Sequence, residues 1–181
     1  MKTLCVLQHV EADYLGLLED QFEGRNIRFR YCRPFTPGAS IPLGAEDNDG
    51  LVVLGAGPKG IVSGDLIPSL GAELRLTRDF LDRGLPVIGI GIGACILSIA
   101  AGGGAEEAPL RFTLDNARRI VPDALGGICR QRFRLGSICA TVRSCLATPG
   151  CWRSAPATNR CFFKYGIIAS ALSAILGSSR L

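Results

Sequence analysis

Two apolar stretches, Gly50 to Leu54 and Pro86 to Ile90, restrict the folds that this chain can adopt. Neither stretch alternates apolar with polar residues, so a strand formed there would be buried on both of its faces. Such strands belong to parallel sheets, because the crossover that joins two parallel strands lays a helix on the sheet. The chain is therefore predicted to be an α/β protein.

The remaining patterns agree with that architecture. Short runs of β-type residues predict strands at residues 3–8 and 26–31, and apolar positions at helical spacing predict helices at residues 14–22, 69–81 and 92–101. Ser69 is a suitable N-cap for the second of these helices. The order predicts one doubly wound, mostly parallel sheet of flavodoxin type with helices on both faces. After Gly104 the pattern weakens to short strands at residues 110–113 and 118–121 and a late helix near residues 167–176.

The last third of the chain differs in composition from the rest. All sixteen Asp and Glu lie within residues 1–123, whereas residues 124–181 contain no acid and eight of the twenty Lys and Arg. Five of the eight cysteines also lie in this part, at positions 129, 139, 145, 151 and 161. We therefore divide the chain into an α/β domain at residues 1–127 and an atypical basic, cysteine-rich tail at residues 128–181.

Two explanations of the tail remain open, a shifted reading frame and a divergent basic segment with an altered C-terminal part of the fold. Its cysteines show no C-x-x-C pair and no histidine accompanies them, so no metal site is expected. An excess of basic over acidic residues is by itself weak support for nucleic-acid binding, which we do not expect. The N-terminal apolar run has the length of a strand and acids follow it, and residues 166–177 are too few to span a bilayer. The expected location is cytoplasmic, without membrane insertion.

A glycine-dense segment from Gly84 to Leu97 contains the second apolar stretch. It reads Gly-Leu-Pro-Val-Ile-Gly-Ile-Gly-Ile-Gly-Ala-Cys-Ile-Leu, so a buried strand, a turn rich in glycine and a helix follow one another. This is the layout of a nucleophile elbow, in which small residues flank the nucleophile because the turn is sharp. An elbow presents one side chain to the substrate and directs the next backbone N–H towards a developing oxyanion.

Together with residues 49–58, this segment resembles the class I glutamine amidotransferases, in particular the branch near GMP synthase. The family's elbow reads like Pro-Val-x-Gly-Ile-Cys-x-Gly, and Asp-Gly-Leu-Val-Val-Leu-Gly-Ala-Gly-Pro resembles its strand and Gly-Gly-Pro oxyanion loop. The opening Val-Leu-Gln-His at residues 6–9 resembles its first strand. The resemblance covers about residues 1–127. It implies hydrolysis of glutamine to glutamate and ammonia for a synthase partner, without a metal or organic cofactor.

The chain departs from the family where the chemistry takes place. The nucleophile position is Gly91, which has no side chain to form a thioester. The family also has a His and a Glu near its C-terminus, whereas the only histidine here is His9 and no acid follows Asp123. Cys95, one helical turn beyond Gly91, is a weak substitute, because a small buried side chain is the commoner role of such a cysteine and no histidine accompanies it.

The expected remnants of the site are the backbone amides of Gly57 and Ile92, as oxyanion donors on either side of Gly91. The sequence thus predicts an amidotransferase-like protein without glutaminase activity that binds glutamine or a related small molecule. A nucleotide-binding module is the alternative, since Gly55-x-Gly57-x-x-Gly60 after a strand matches the dinucleotide fingerprint. A disrupted gene product without a settled function is a third possibility.

Overall fold

The computed structural model of this chain describes residues 1–57, 59–61, 66–118, 132–142 and 167–170. Strands and helices alternate through the first hundred residues, except that the second strand is followed by the third without a helix between them. The strands are β1 (Lys2–Leu7), β2 (Ile27–Cys32), β3 (Gly50–Val53), β4 (Val87–Ile90), β5 (Glu106–Arg118), β6 (Arg132–Val142) and β7 (Ile167–Ser170), and the helices are α1 (Leu17–Glu23), α2 (Leu70–Asp82) and α3 (Ile92–Ala100).

The main sheet has the strand order β2-β1-β3-β4-β7. The first four strands are parallel, and β7 pairs with β4 in the antiparallel direction. The chain order therefore reverses between β1 and β3, which is the topological switch point of a doubly wound sheet. The late helix predicted near residues 167–176 is wrong for its first four residues. Two adjacent β-branched residues, Ile167 and Ile168, pair there with the free edge of β4.

The two faces of the sheet carry separate apolar clusters, because successive side chains of a strand point to opposite faces. One face packs against α2 and α3 and the other against α1. The first cluster includes Cys5, Leu7, Leu51, Val53 and Val87 from the strands, with Leu76, Phe80, Ile96 and Leu97 from the helices. The second includes Leu4, Val6, Val52 and Ile88, with Phe22 from α1. The predicted burial of these strands on both faces is confirmed.

A second, two-stranded sheet follows α3, in which β5 and β6 pair in the antiparallel direction. The shift in composition after residue 123 falls within residues 119–131, which lie outside the described residues, as does most of the predicted tail. Within the described ranges, every helix is too short or too polar to cross a membrane.

Candidate functional site

The turn between β4 and α3 has the backbone shape of an elbow. Gly91 lies between them with φ 57° and ψ −121°. A Cβ on Gly89 would lie 2.5 Å from the carbonyl oxygen of Gly93, and a Cβ on Gly93 would lie 2.1 Å from that of Val53. Both distances are far inside van der Waals contact, so the turn requires glycine at these two positions. The turn at the end of β4 is thus tightly packed at Gly89 and Gly93, whereas a Cβ on Gly91 would meet nothing closer than 3.5 Å.

Residues 55–57, which we call the β3 loop, lie beside this elbow. β3 pairs with β4 in register at Val53 and Gly89, so both loops leave the carboxyl edge of the sheet. A Cβ on Gly91 would lie 3.5 Å from Cα of Gly55, an ordinary contact. This edge is where open α/β sheets bind ligands. The amide of Gly57 donates to Oδ2 of Asp13 at 3.2 Å, so the assignment of Gly57 and Ile92 as paired oxyanion donors stays a prediction.

His9 lies just beyond the end of β1 and is buried. Its Nδ1 lies 2.9 Å from the carbonyl oxygen of Gly55, and its Nε2 lies 2.7 Å from Oε2 of Glu73. The side chain of His9 is 2% exposed and that of Glu73 is fully buried. Burial lowers the pKa of His9, but the hydrogen bond and charge of Glu73 and the carbonyls of Gly55 and Leu54 outweigh it. The pKa of His9 is therefore raised above 6.5.

Glu73 is the member of this site that the sequence reasoning missed. It lies on α2 and accepts a hydrogen bond from the hydroxyl of Ser69, which makes no N-cap bond. The buried residues of α2 are Glu73, Leu76, Thr77 and Phe80, which repeat at helical spacing on one face. An acid on that apolar face was the available signal, because a buried carboxylate requires a partner.

Cys5 and Cys95 are poor nucleophiles in their surroundings. Burial, with a smaller contribution from neighbouring Cys32, raises the pKa of Cys5 to about 12, so its thiol stays protonated at neutral pH. Cys95 is 3% exposed within α3, and a thiol has to reach its substrate to react. Among the described residues, no group of three His, Cys, Asp or Glu side chains is placed to hold a metal ion.

Among residues 55–57, 59–61 and 66–69, which the structure describes, no helix follows the glycines of the dinucleotide fingerprint. α2 begins at Leu70, whereas the fingerprint needs a helix that opens within the glycine loop and points its N-terminus at the pyrophosphate. Gly60 instead forms an isolated bridge with Leu66. Pro68 lies just before α2, and its fixed φ is compatible with the start of a helix. The geometry thus does not favour the nucleotide-binding alternative.

Solved structures share this fold. A glutamine amidotransferase of Methylobacillus flagellatus superposes with a TM-score of 0.68 at 25% identity, over 80% of this chain and 57% of its own. A glutamine amidotransferase of Thermotoga maritima gives 0.63 at 23% identity, over 79% and 62%. This is the class I glutamine amidotransferase fold. One subunit of a GMP synthase, so assigned in Thermoplasma acidophilum, gives 0.55 at 12% identity, over 87% of this chain and 70% of its own.

The amidotransferase-like chain spans about three fifths of the length of the first two of these structures, 57% and 62%. Its sequence matches no family model and no curated protein. The structural neighbours confirm, at the level of the fold, the resemblance inferred from residues 49–58 and 84–97.

Proposed function

We propose that this chain is a glutamine amidotransferase-like protein that binds glutamine or a related small molecule beside Gly91 and does not hydrolyse it. One observation carries the proposal. The elbow keeps its backbone shape, with φ 57° and ψ −121° at Gly91, but the residue at its tip has no side chain. The thioester of the family reaction needs a thiolate at that point. A crevice without a nucleophile can bind its ligand but has no atom with which to open the amide.

The neighbouring groups do not replace the missing thiol and its base. Both ring nitrogens of His9 are engaged, with Gly55 and with Glu73, so no lone pair is free to accept a proton from a nucleophile. Cys95 is packed inside α3 and offers its thiol no route to the crevice. We therefore expect no chemistry from either residue.

The first experiment measures glutamate released from glutamine by the purified chain and by the variant Gly91→Cys. We expect neither protein to release glutamate above the rate without enzyme, because loss of the nucleophile in a covalent mechanism removes several orders of magnitude of rate. The variant is a fair test, since a Cβ at Gly91 meets nothing closer than 3.5 Å. The positive φ adds a strain of roughly 1–3 kcal/mol, which a folded domain tolerates. Steady glutamate release that disappears in Cys95→Ala would overturn the proposal and make Cys95 the nucleophile.

The second experiment measures binding of glutamine by titration calorimetry. Saturable binding is expected for the unaltered chain and should be abolished by Gly91→Leu, which places a side chain in the crevice. Gly71→Leu is the matched control, because nothing lies within 4 Å of a Cβ at Gly71. Glutamine binding that survives Gly91→Leu, or that Gly71→Leu weakens equally, would place the ligand elsewhere.

The proposal extends to a synthase partner. It is supported by the structural neighbour assigned to GMP synthase, which is by that description one part of a larger enzyme. Cross-linking in cells followed by mass spectrometry would test it, and we expect links from the carboxyl edge of the sheet. Links confined to the opposite edge, around Arg28 and Asp47, would contradict a partner that faces the crevice.

A further inference from the structure

The β3 loop is held at two points by one neighbouring segment. His9 contacts the carbonyl of Gly55 at 2.9 Å, and Asp13 accepts a hydrogen bond from the amide of Gly57 at 3.2 Å. Gly55 lies so close to Asp13 that a Cβ there would be 2.6 Å from Oδ2. Both partners belong to the connection after β1, and the loop they hold follows β3. The contacts therefore cross the switch point of the sheet.

The protonation state of His9 follows from the acceptors around it. A carbonyl oxygen only accepts hydrogen bonds, so Nδ1 has to carry a proton to bond Gly55. Oε2 of an ionised Glu73 also only accepts, so Nε2 has to carry a second proton. With both nitrogens protonated, His9 is an imidazolium paired with buried Glu73, whose other oxygen accepts the hydroxyl of Ser69. A neutral imidazole, which has one N–H, would keep both contacts only if Glu73 carried the proton and donated it to Nε2.

We propose that protonated His9 and Asp13 are positioning residues that fix the β3 loop, so that ligand binding beside Gly91 weakens when His9 loses its proton. The effect on a ligand depends on the proposed function, whereas the effect on the loop does not. The direction of the His9 shift supports this, since its pKa is raised. Protonated His9, the form that holds the loop, is therefore present below pH 6.5. It is lost as the pH rises through the higher pKa that His9 has in the folded protein.

Two other ionisable groups face this pair. Cys32, at the end of β2, has a pKa raised by burial and by the charge of Glu73. Its thiol therefore stays neutral over the range in which His9 titrates. Asp13 contacts Gly55 and accepts the amide of Gly57 through Oδ2. Within the described residues, His9 is then the group whose charge changes between pH 6 and 9 in contact with the loop.

The first arm of the experiment is NMR on the unaltered chain. Because the chain has one histidine, its imidazole nitrogen signals identify themselves. We expect an imidazole midpoint above 6.5 and amide shifts of Gly55 and Gly57 that change with the same midpoint. A midpoint at or below 6.5, or amide signals that do not follow the imidazole, would overturn the proposal without any ligand.

The second arm separates positioning from general stability. Asp13→Asn keeps an oxygen that can accept the Gly57 amide, and Asp13→Ala removes it. We expect the first variant to bind glutamine like the parent and the second to bind about tenfold more weakly, since one charged hydrogen bond to the loop is lost. The double variant His9→Gln, Glu73→Gln removes the buried charges together, so its glutamine binding should no longer depend on pH. Equal binding by Asp13→Ala and the parent would contradict the role of Asp13.

The third arm follows glutamine affinity of the parent from pH 6 to 9. We expect a loss of about tenfold or more across the imidazole midpoint, as the loop loses a charged hydrogen bond. Constant affinity while the imidazole titrates would refute the positioning role of His9. Absence of glutamine binding at every pH would refute the proposed function instead, and the amide shifts would still decide whether His9 holds the loop.

Discussion

Gly93 carries the contact that joins the elbow to the centre of the sheet, and we expect Gly93→Ala to destabilise the fold. A Cβ at this position would lie 2.1 Å from the carbonyl oxygen of Val53, 2.6 Å from its carbonyl carbon and 2.9 Å from its Cβ. A normal carbon–oxygen contact is about 3.3 Å or more. The helix and the strand would therefore have to separate by roughly 1 Å. Val53 belongs to a strand that is paired on both sides, so it cannot yield easily.

Two opposed terms decide the size of the effect. Overpacking a well-packed interior costs typically 1–3 kcal/mol, and we take about 3 because the obstacle is backbone. Alanine in a helix is favoured over glycine by about 1 kcal/mol. The net destabilisation is about 2 kcal/mol, which for a chain of this size lowers the melting temperature by roughly 4–8 °C.

The assay is thermal and urea unfolding of the variant beside the parent and a matched control. Gly71→Ala also introduces an alanine into a helix, but nothing lies within 4 Å of its Cβ. It should therefore stabilise the protein by about 0.5–1 kcal/mol. A Gly93→Ala protein that melts at or above the parent would refute the reasoning, because the helix and strand would then not be in contact as described.

Two further predictions concern the rest of the chain. Asp79 accepts hydrogen bonds from the Ala45 amide and from Arg83, which lower its pKa below 3.8. Ionised Asp79 therefore stabilises the fold above pH 3.8, and this contribution is lost as the pH falls through the lowered pKa. Urea unfolding between pH 2 and 5 should show a shallower acid dependence for Asp79→Asn, and identical slopes would contradict this. The gene, read in its other two frames downstream of codon 120, should encode a His closely followed by a Glu and then an amphipathic helix. Stop codons scattered through both frames would instead leave the basic tail as a selected segment.

Most of the fold could be predicted from local patterns in the sequence. The elbow could be predicted because its determinants, Gly89, Gly91 and Gly93, are neighbours in sequence and the strand and helix around them have clear periods. The same holds for β3 and its loop. Parallel pairing followed from burial of the strands on both faces rather than from any one residue.

The contacts that hold the β3 loop could not be predicted in the same way. His9 and Glu73 are 64 positions apart, and a hydrogen bond between distant side chains leaves no period in the sequence. Ser69 was expected to cap α2, but its hydroxyl bonds Glu73, since a buried carboxylate without donors is costlier than an uncapped exposed amide. For β7, a short apolar run fits a strand or a helix equally, and the free edge of β4 decides between them.

The positive φ of Gly91 bears on how such a chain evolves. In an active elbow the same backbone shape is imposed on a residue with a side chain, at a strain of roughly 1–3 kcal/mol. Glycine adopts that shape freely, so a lineage that exchanges its nucleophile for Gly91 gains folding stability in the same step. Selection for folding alone would then maintain glycine at this position. Under the proposed function, a return to catalysis would begin with a mutation at Gly91 that weakens the protein.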